Sequence, residues 1–163
     1  MVRKIILDAG NGIIKAKARE GEEVEFPHAI AQLTHTQRDS VLSRNNGKAP
    51  ADYIKINDTP FAVGKSAEAY KIAAPLQGNA RYRREYYGVL AVMAFAKLYD
   101  ESKELFLFAG HPPADVAFRE SLGASVKGHW DVLYRGNQVA YHVSAVDTWE
   151  EPEGGLFKAL KKA

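Results

Sequence analysis

The sequence contains no cysteine, which removes disulfides, thiol catalysis and thiolate-bound metal from consideration. It has no apolar stretch long enough to span a bilayer and no signal-peptide core at its N-terminus. A cytoplasmic location without a membrane partner is therefore expected. An excess of charge of one sign is missing too: 22 Lys and Arg stand against 20 Asp and Glu, a formal charge of +2. Chains that bind nucleic acid by neutralising phosphates usually carry a clear basic excess, so no direct nucleic-acid contact is expected. The five histidines, His28, His35, His111, His129 and His142, lack metal-ligand spacing such as H-E-x-x-H. There is no internal repeat and no low-complexity tract. What remains is a chain of 163 residues, 46% hydrophobic and 26% charged, the proportions of one ordinary domain with room for a core.

What is present begins with Ile5-Ile6-Leu7-Asp8-Ala9-Gly10-Asn11-Gly12-Ile13-Ile14-Lys15. An apolar run of the buried-strand kind ends in one carboxylate. Residues that tolerate positive φ follow, as a tight hairpin requires. Ile13 to Arg19 then alternates with period two, placing Ile14, Ala16 and Ala18 on one face. Val24 to Phe26 completes an antiparallel meander. Thr34 to Ala51 is polar and reads as a mobile loop. Tyr53 to Asn57 and Phe61 to Val63 form a hairpin around Asn57-Asp58-Thr59-Pro60, with a short helix predicted from Ser66 to Lys71. The strongest helix signal runs from Arg83 to Tyr99, where Tyr87, Leu90, Ala91, Ala94, Phe95 and Leu98 share a stripe. Val89, Val92, Met93 and Ala96 make its other side apolar, so it is buried on more than one face or has lost a covering partner. Leu105 to Ala109 is a central-strand candidate beside the first strand. Pro113 opens a helix carrying Phe118, Leu122 and Val126. Trp130 to Tyr134 and Gln138 to Val146 flank the turn Arg135-Gly136-Asn137, and Leu156 to Lys162 reads as a short basic helix. The sum is a mixed α/β layered domain.

The opening stretch admits two readings from its residues alone. Asp8 before a glycine-rich turn is a common turn former, and Lys15 lies where a solvated lysine would lie. The chemical alternative is a metal-bound polyphosphate site, with clustered N–H groups on phosphate oxygens, Lys15 neutralising charge and Asp8 holding Mg²⁺ through water. Val63-Gly64-Lys65-Ser66 tempts a P-loop assignment, but the pattern needs a glycine five positions before Gly64 and Thr59 stands there. Pro60 further removes a donor from a loop meant to supply donors. Arg81-Tyr82-Arg83-Arg84-Glu85-Tyr86-Tyr87 interleaves cations with aromatics as single-strand binders do, and is read as a solvated helix start with tyrosines packed inward. His111 has no serine or cysteine nucleophile motif beside it. Asp131, Asp147, Glu150, Glu151 and Glu153 are the acids left to meet Asp8 in space.

Asp8-Ala-Gly-Asn-Gly-Ile-Ile-Lys15 resembles the first phosphate motif of actin-like ATPases, most closely those of the ParM type with their archaeal and phage relatives. Three further stretches fall in the family's order: Phe61-Ala-Val-Gly-Lys-Ser-Ala67, Gly110-His-Pro-Pro113, and Val146 to Leu156 with Pro152-Glu153-Gly154-Gly155. The resemblance implies an RNase H-like, actin-type α/β layered domain: a mixed central sheet opening in an antiparallel meander, helices packed on it. It implies that residues 1–163 form one domain equivalent to the family's N-terminal subdomain, with the second subdomain absent. Asp8 would be the Mg²⁺-water ligand, Lys15 the phosphate contact, and Gly10, Asn11 and Gly12 the phosphate hairpin for ATP or GTP. Glu153 would orient the attacking water, with Glu151 an equally placed neighbour. The spacing from Gly154-Gly155 departs from the family's pattern there.

The implied function is one half of a filament-forming, DNA-segregating (cytomotive) ATPase. Its partners would be the missing domain or like subunits, its nucleotide binding weak alone, and its own ATPase activity negligible. Two alternatives stand beside it. A resolvase-type, metal-dependent nuclease would need Asp8 to meet Asp131, Asp147 or Glu150. A non-catalytic interaction module would use a bare face of the 83–99 helix and self-associate.

Overall fold

The apolar run that opens the chain becomes the centre of a sheet. In the computed structural model, which describes residues 2–9, 12–70, 84–98, 103–111 and 123–150, β1 (Val2–Ala9) is followed by β2 (Ile13–Ala18) and β3 (Glu23–Pro27) in an antiparallel meander. After β4 (Ile30–Gln32) come α1 (His35–Arg44), the hairpin β5 (Tyr53–Ile56) and β6 (Thr59–Val63), and a 3₁₀ turn (Lys65–Ala69). The helix α2 (Arg84–Lys97), then β7 (Glu104–His111), β8 (Gly128–Tyr134) and β9 (Asn137–Glu150) complete the described elements. All nine strands join one mixed sheet in the order β3-β2-β1-β7-β9-β8-β5-β6-β4.

Among the described residues, parallel pairing is confined to β1, β7 and β9. Alternation in β1, β2 and β7 sends Ile5, Leu7, Ile14, Ala16, Leu105, Leu107 and Ala109 to one face, where they form a core with α2. Every residue of α2 from Tyr87 to Ala96 is buried, as is Leu98 beyond its end. The helix therefore has no bare face along that stretch, and the reason for reading it as a free interaction surface is gone. Gly88 marks the tightest approach. A Cβ there would lie 2.8 Å from Cη2 of Trp130, whose indole N–H is tied to the Val126 carbonyl at 2.8 Å. A glycine that costs about 1 kcal/mol in a helix interior thus admits the β8 tryptophan. At the far end of α2, the buried guanidinium of Arg3 hydrogen-bonds the Leu98 carbonyl and reaches Glu20 and Glu22 at 3.7 and 3.4 Å.

β9 belongs to both halves of the sheet. Its first residues pair antiparallel with β8 and its later ones parallel with β7, with a register shift at Leu105/Phe106. Two-residue turns close β5–β6 and β8–β9. Asn57 and Asp58 (φ 46° and 67°), and Arg135 and Gly136 (φ 49° and 83°), adopt the positive φ that such hairpins demand. Asn57 also ties β5 to β8, donating its N–H to the Asp131 carbonyl at 2.8 Å and accepting the Asp131 N–H on Oδ1 at 2.9 Å.

Two expectations need correction. The polar 34–51 stretch contains a helix, α1, started by a capping box in which Thr34 Oγ1 accepts the Gln37 N–H and Gln37 Oε1 accepts the Thr34 N–H. Only Val41 of α1 is buried, so no apolar stripe announces it. The short helix predicted from Ser66 to Lys71 is instead the 3₁₀ turn, entered through Gly64 at φ 94°. The expected helices at 113–126 and 156–162 fall largely or wholly outside the described residues.

Candidate functional site

Parallel strands β1, β7 and β9 deliver their C-terminal ends to one edge of the sheet, the usual place for a ligand in sheets of this kind. Asp8 is the penultimate residue of β1 at that edge. The antiparallel register puts Lys15 of β2 directly opposite Asp8, and Glu25 of β3 opposite Lys15. Directly opposed residues have Cβ atoms about 5 Å apart, so carboxylate, ammonium and carboxylate form one row. Asp8 and Lys15 are half-buried and Glu25 is exposed. Among the described residues no salt bridge holds the Lys15 ammonium. One row further from the edge, Lys17 does pair with Glu23, at 3.3 Å.

The strands' alternation explains why these charges gather. Ile14, Ala16 and Ala18 face the core while Lys15 and Lys17 face away. The same register aligns Lys17, Ile6, Phe108 and Asp147 in one row across β2, β1, β7 and β9. Asp147 therefore shares the face of Asp8, but lies two strand spacings across and two residues down, about 12 Å away. Its carboxylate accepts the Thr148 N–H at 2.9 Å. Asp131 is bonded to the Asn57 turn on β8, in the other half of the sheet. No group of three metal-ligating side chains occurs among the described residues, so the converging acids that a two-metal nuclease needs are not seen there.

Gly12 is exposed at the start of β2, and its carbonyl accepts the His28 N–H at 3.1 Å. Gly10, Asn11, Glu151 and Glu153 lie outside the described residues. His28 is a residue that sequence reasoning passed over: it is 1% exposed and sits beside the motif's turn. A lone histidine after a proline carries no sequence signal of that position. The rejected P-loop stays rejected for a structural reason. The Gly64 N–H donates to Ala29 O, the Ser66 N–H and hydroxyl to Asp52 Oδ2 at 3.1 and 3.0 Å, and the Ala67 N–H to Gly64 O. Those donors are spent within the fold.

The family model described as the N-terminal domain of actin-like proteins matches residues 7–154. The chain belongs to the actin-like proteins. Its fold agrees with solved members: a ParM filament structure from Clostridium botulinum (TM-score 0.71, 17% identity, 99% of this chain and 51% of that one). Crystalline apo psk41 ParM matches with TM-score 0.66 and 17% identity over 94% of this chain and 50% of that one. An archaeal actin homologue in complex with ADP matches with TM-score 0.65 and 15% identity over 99% and 47%. At such identities the likeness establishes the actin-like fold, an α/β architecture of the RNase H-like class. No curated protein matches. This actin-like domain spans about half the length of the solved structures it resembles.

Proposed function

We propose that this actin-like domain supplies one wall of a Mg²⁺-nucleotide site in a filament-forming ATPase of the DNA-segregating kind. The observation that carries the proposal is the direct pairing of Asp8 with Lys15 at the open end of the parallel strands. That donor set fits the ligand: a carboxylate suits a hydrated hard cation, and the ammonium of the residue directly opposite it suits the phosphate beside that cation. When bound, Mg²⁺ would supply neutralising charge at the phosphates. In this reading Asp8 would hold the cation's water, Lys15 would contact a phosphate oxygen, and Gly10, Asn11 and Gly12 would supply backbone N–H groups to the phosphates. Glu153, or its neighbour Glu151, orients the attacking water. The solved relatives bear on the reading at one remove, one of them being an ADP complex and another a filament.

A single wall leaves the phosphates stabilised from one side, and phosphoryl transfer draws its rate from positioning and charge on both. The domain alone is therefore expected to bind nucleotide weakly and to hydrolyse it negligibly. A second actin-like domain, or like subunits along a filament, would complete the site, with ATP or GTP as the nucleotide. A cytoplasmic place of action is part of the same proposal. The test is a titration with fluorescent ATP and Mg²⁺, on this chain and on a version joined to an actin-like second domain. Lys15→Ala in the joined protein should weaken binding at least tenfold, about 1.4 kcal/mol. A joined protein that binds no nucleotide would sink the proposal.

A further inference from the structure

The half of the sheet away from Asp8 carries a cavity of about 570 Å³ between α1, the β5–β6 hairpin and the β8–β9 turn. Its floor is apolar, including Val41 of α1 and Leu133 of β8. Its charged lining residues are Arg38, Lys48, Lys55 and Arg135, and among the described residues no acid lines it. Lys55 is neutralised by Asp58 at 2.9 Å. No salt bridge reaches Arg38, Lys48 or Arg135 among the described residues. Arg38 is moreover half-buried, a costly place for an uncompensated guanidinium.

We propose that this groove docks an acidic peptide segment of a partner protein, with an apolar side chain of that segment seated on the Val41–Leu133 floor. The spread of the cations over three elements favours a chain over a compact anion. Arg38 comes from α1, Lys48 from the loop after it and Arg135 from the β8–β9 turn. A small anion needs donors converging on one point, whereas carboxylates spaced along a peptide meet separated cations one by one. The cavity is of ligand-binding size, and its mixed lining suits a segment with both kinds of side chain. The groove lies beyond β7 and β9 from the phosphate hairpin, so its occupancy is independent of the nucleotide proposal.

The experiment is fluorescence anisotropy of the whole chain with a labelled peptide that alternates glutamate with leucine. A second peptide carries glutamine at every glutamate. The glutamate peptide should bind, and raising salt from about 50 to about 300 mM should weaken it several-fold. The combined Arg38→Gln, Lys48→Gln and Arg135→Gln variant should weaken it at least tenfold with an unchanged thermal melt. Equal binding of the glutamine peptide, or unchanged binding by the triple variant, overturns the proposal. Displacement by inorganic phosphate at low millimolar concentration overturns it in favour of a small anion. Absence of peptide binding, with self-association that the triple variant loses, overturns it in favour of a second copy of the chain.

Discussion

In the β3-β2-β1-β7-β9 half of the sheet, side chains at every second position enter one continuous core against α2, and Ile5, Leu7, Ile14, Leu90 and Leu107 have no exposed surface. In the β8-β5-β6-β4 half, the outer layer is different. Its satellite core is Ala29, Ala31, Leu33, Ala62 and Ala67, with Tyr53 and Tyr70 packed against it. Small side chains bury little area, and apolar burial stabilises by about 25 cal/mol per Å². Specific polar contacts fill the gap: the Thr34–Gln37 capping box, the Asp52–Ser66 pair and the Asn57 clasp on β8. The main core reaches this half too, through Ile54, Ile56, Val63 and Val132, and it is the outer face that geometry holds. The Asp8–Lys15 hairpin is attached to the first half and the basic groove to the second.

The largest effect should therefore come from the first half. Leu107→Ala removes a fully buried side chain from β7, beside Ile5 of β1, and should cost about 2–5 kcal/mol. Urea denaturation followed by tryptophan fluorescence would measure it. The midpoint should fall with an unchanged slope, because the core is shared by both halves. A biphasic transition would show instead that the outer half unfolds on its own.

The same contrast explains how much of the molecule could be read from its sequence. Area-driven elements announce themselves. The 5–7 apolar run, the 14-16-18 alternation and the 87–98 stripe locate β1, β2 and α2, although β1 extends over Val2–Ala9, and Leu105 to Ala109 locates the parallel neighbour of β1. Geometry-driven elements do not. The α1 helix has one buried residue, so periodicity is silent, and its only sequence signal is Thr34 followed three residues later by Gln37. The 3₁₀ turn after Gly64 is decided by Asp52, fourteen residues before Ser66 in the chain, and no local pattern carries that contact. For the site, Asp8 and Lys15 were legible as a motif. Their direct opposition is a matter of strand register, and the role of buried His28 beside Gly12 is a matter of tertiary contact.

A middle-sized effect tests the outer half's dependence on geometry. Thr34→Ala removes the side chain that caps α1 and should cost about 1 kcal/mol. The loss should be local. Amide exchange should speed in residues 35–44 and hardly change in β1 and β7, since Val41 is the one fully buried residue of α1. Uniformly faster exchange would mean that α1 is as deeply integrated as α2, against the contrast drawn above.

The smallest effect appears only at alkaline pH and separates the outer tyrosines from the ammonium of α2. Burial, reinforced by the Tyr53 hydroxyl 3.3 Å away, pushes the Tyr70 phenol from 10.0 up to about 12. Burial also raises Tyr134. A folded state that keeps these protons more tightly than the unfolded chain is favoured below pH 10, and loses that advantage as pH climbs toward 12. Lys97 works in the opposite sense. Burial lowers its pKa from 10.5, so the unfolded chain binds that proton more tightly, and stability rises with pH just below 10.5. Two tyrosines against one lysine predict a net decline above pH 10. Tyr70→Phe has no phenol to ionise, so its denaturation midpoint should fall less steeply between pH 10 and 12 than that of the parent chain. Denaturant titrations at half-unit pH steps would resolve the two slopes. Identical slopes would assign the alkaline decline to tyrosines elsewhere in the chain, and the Tyr53–Tyr70 contact would then matter for packing alone.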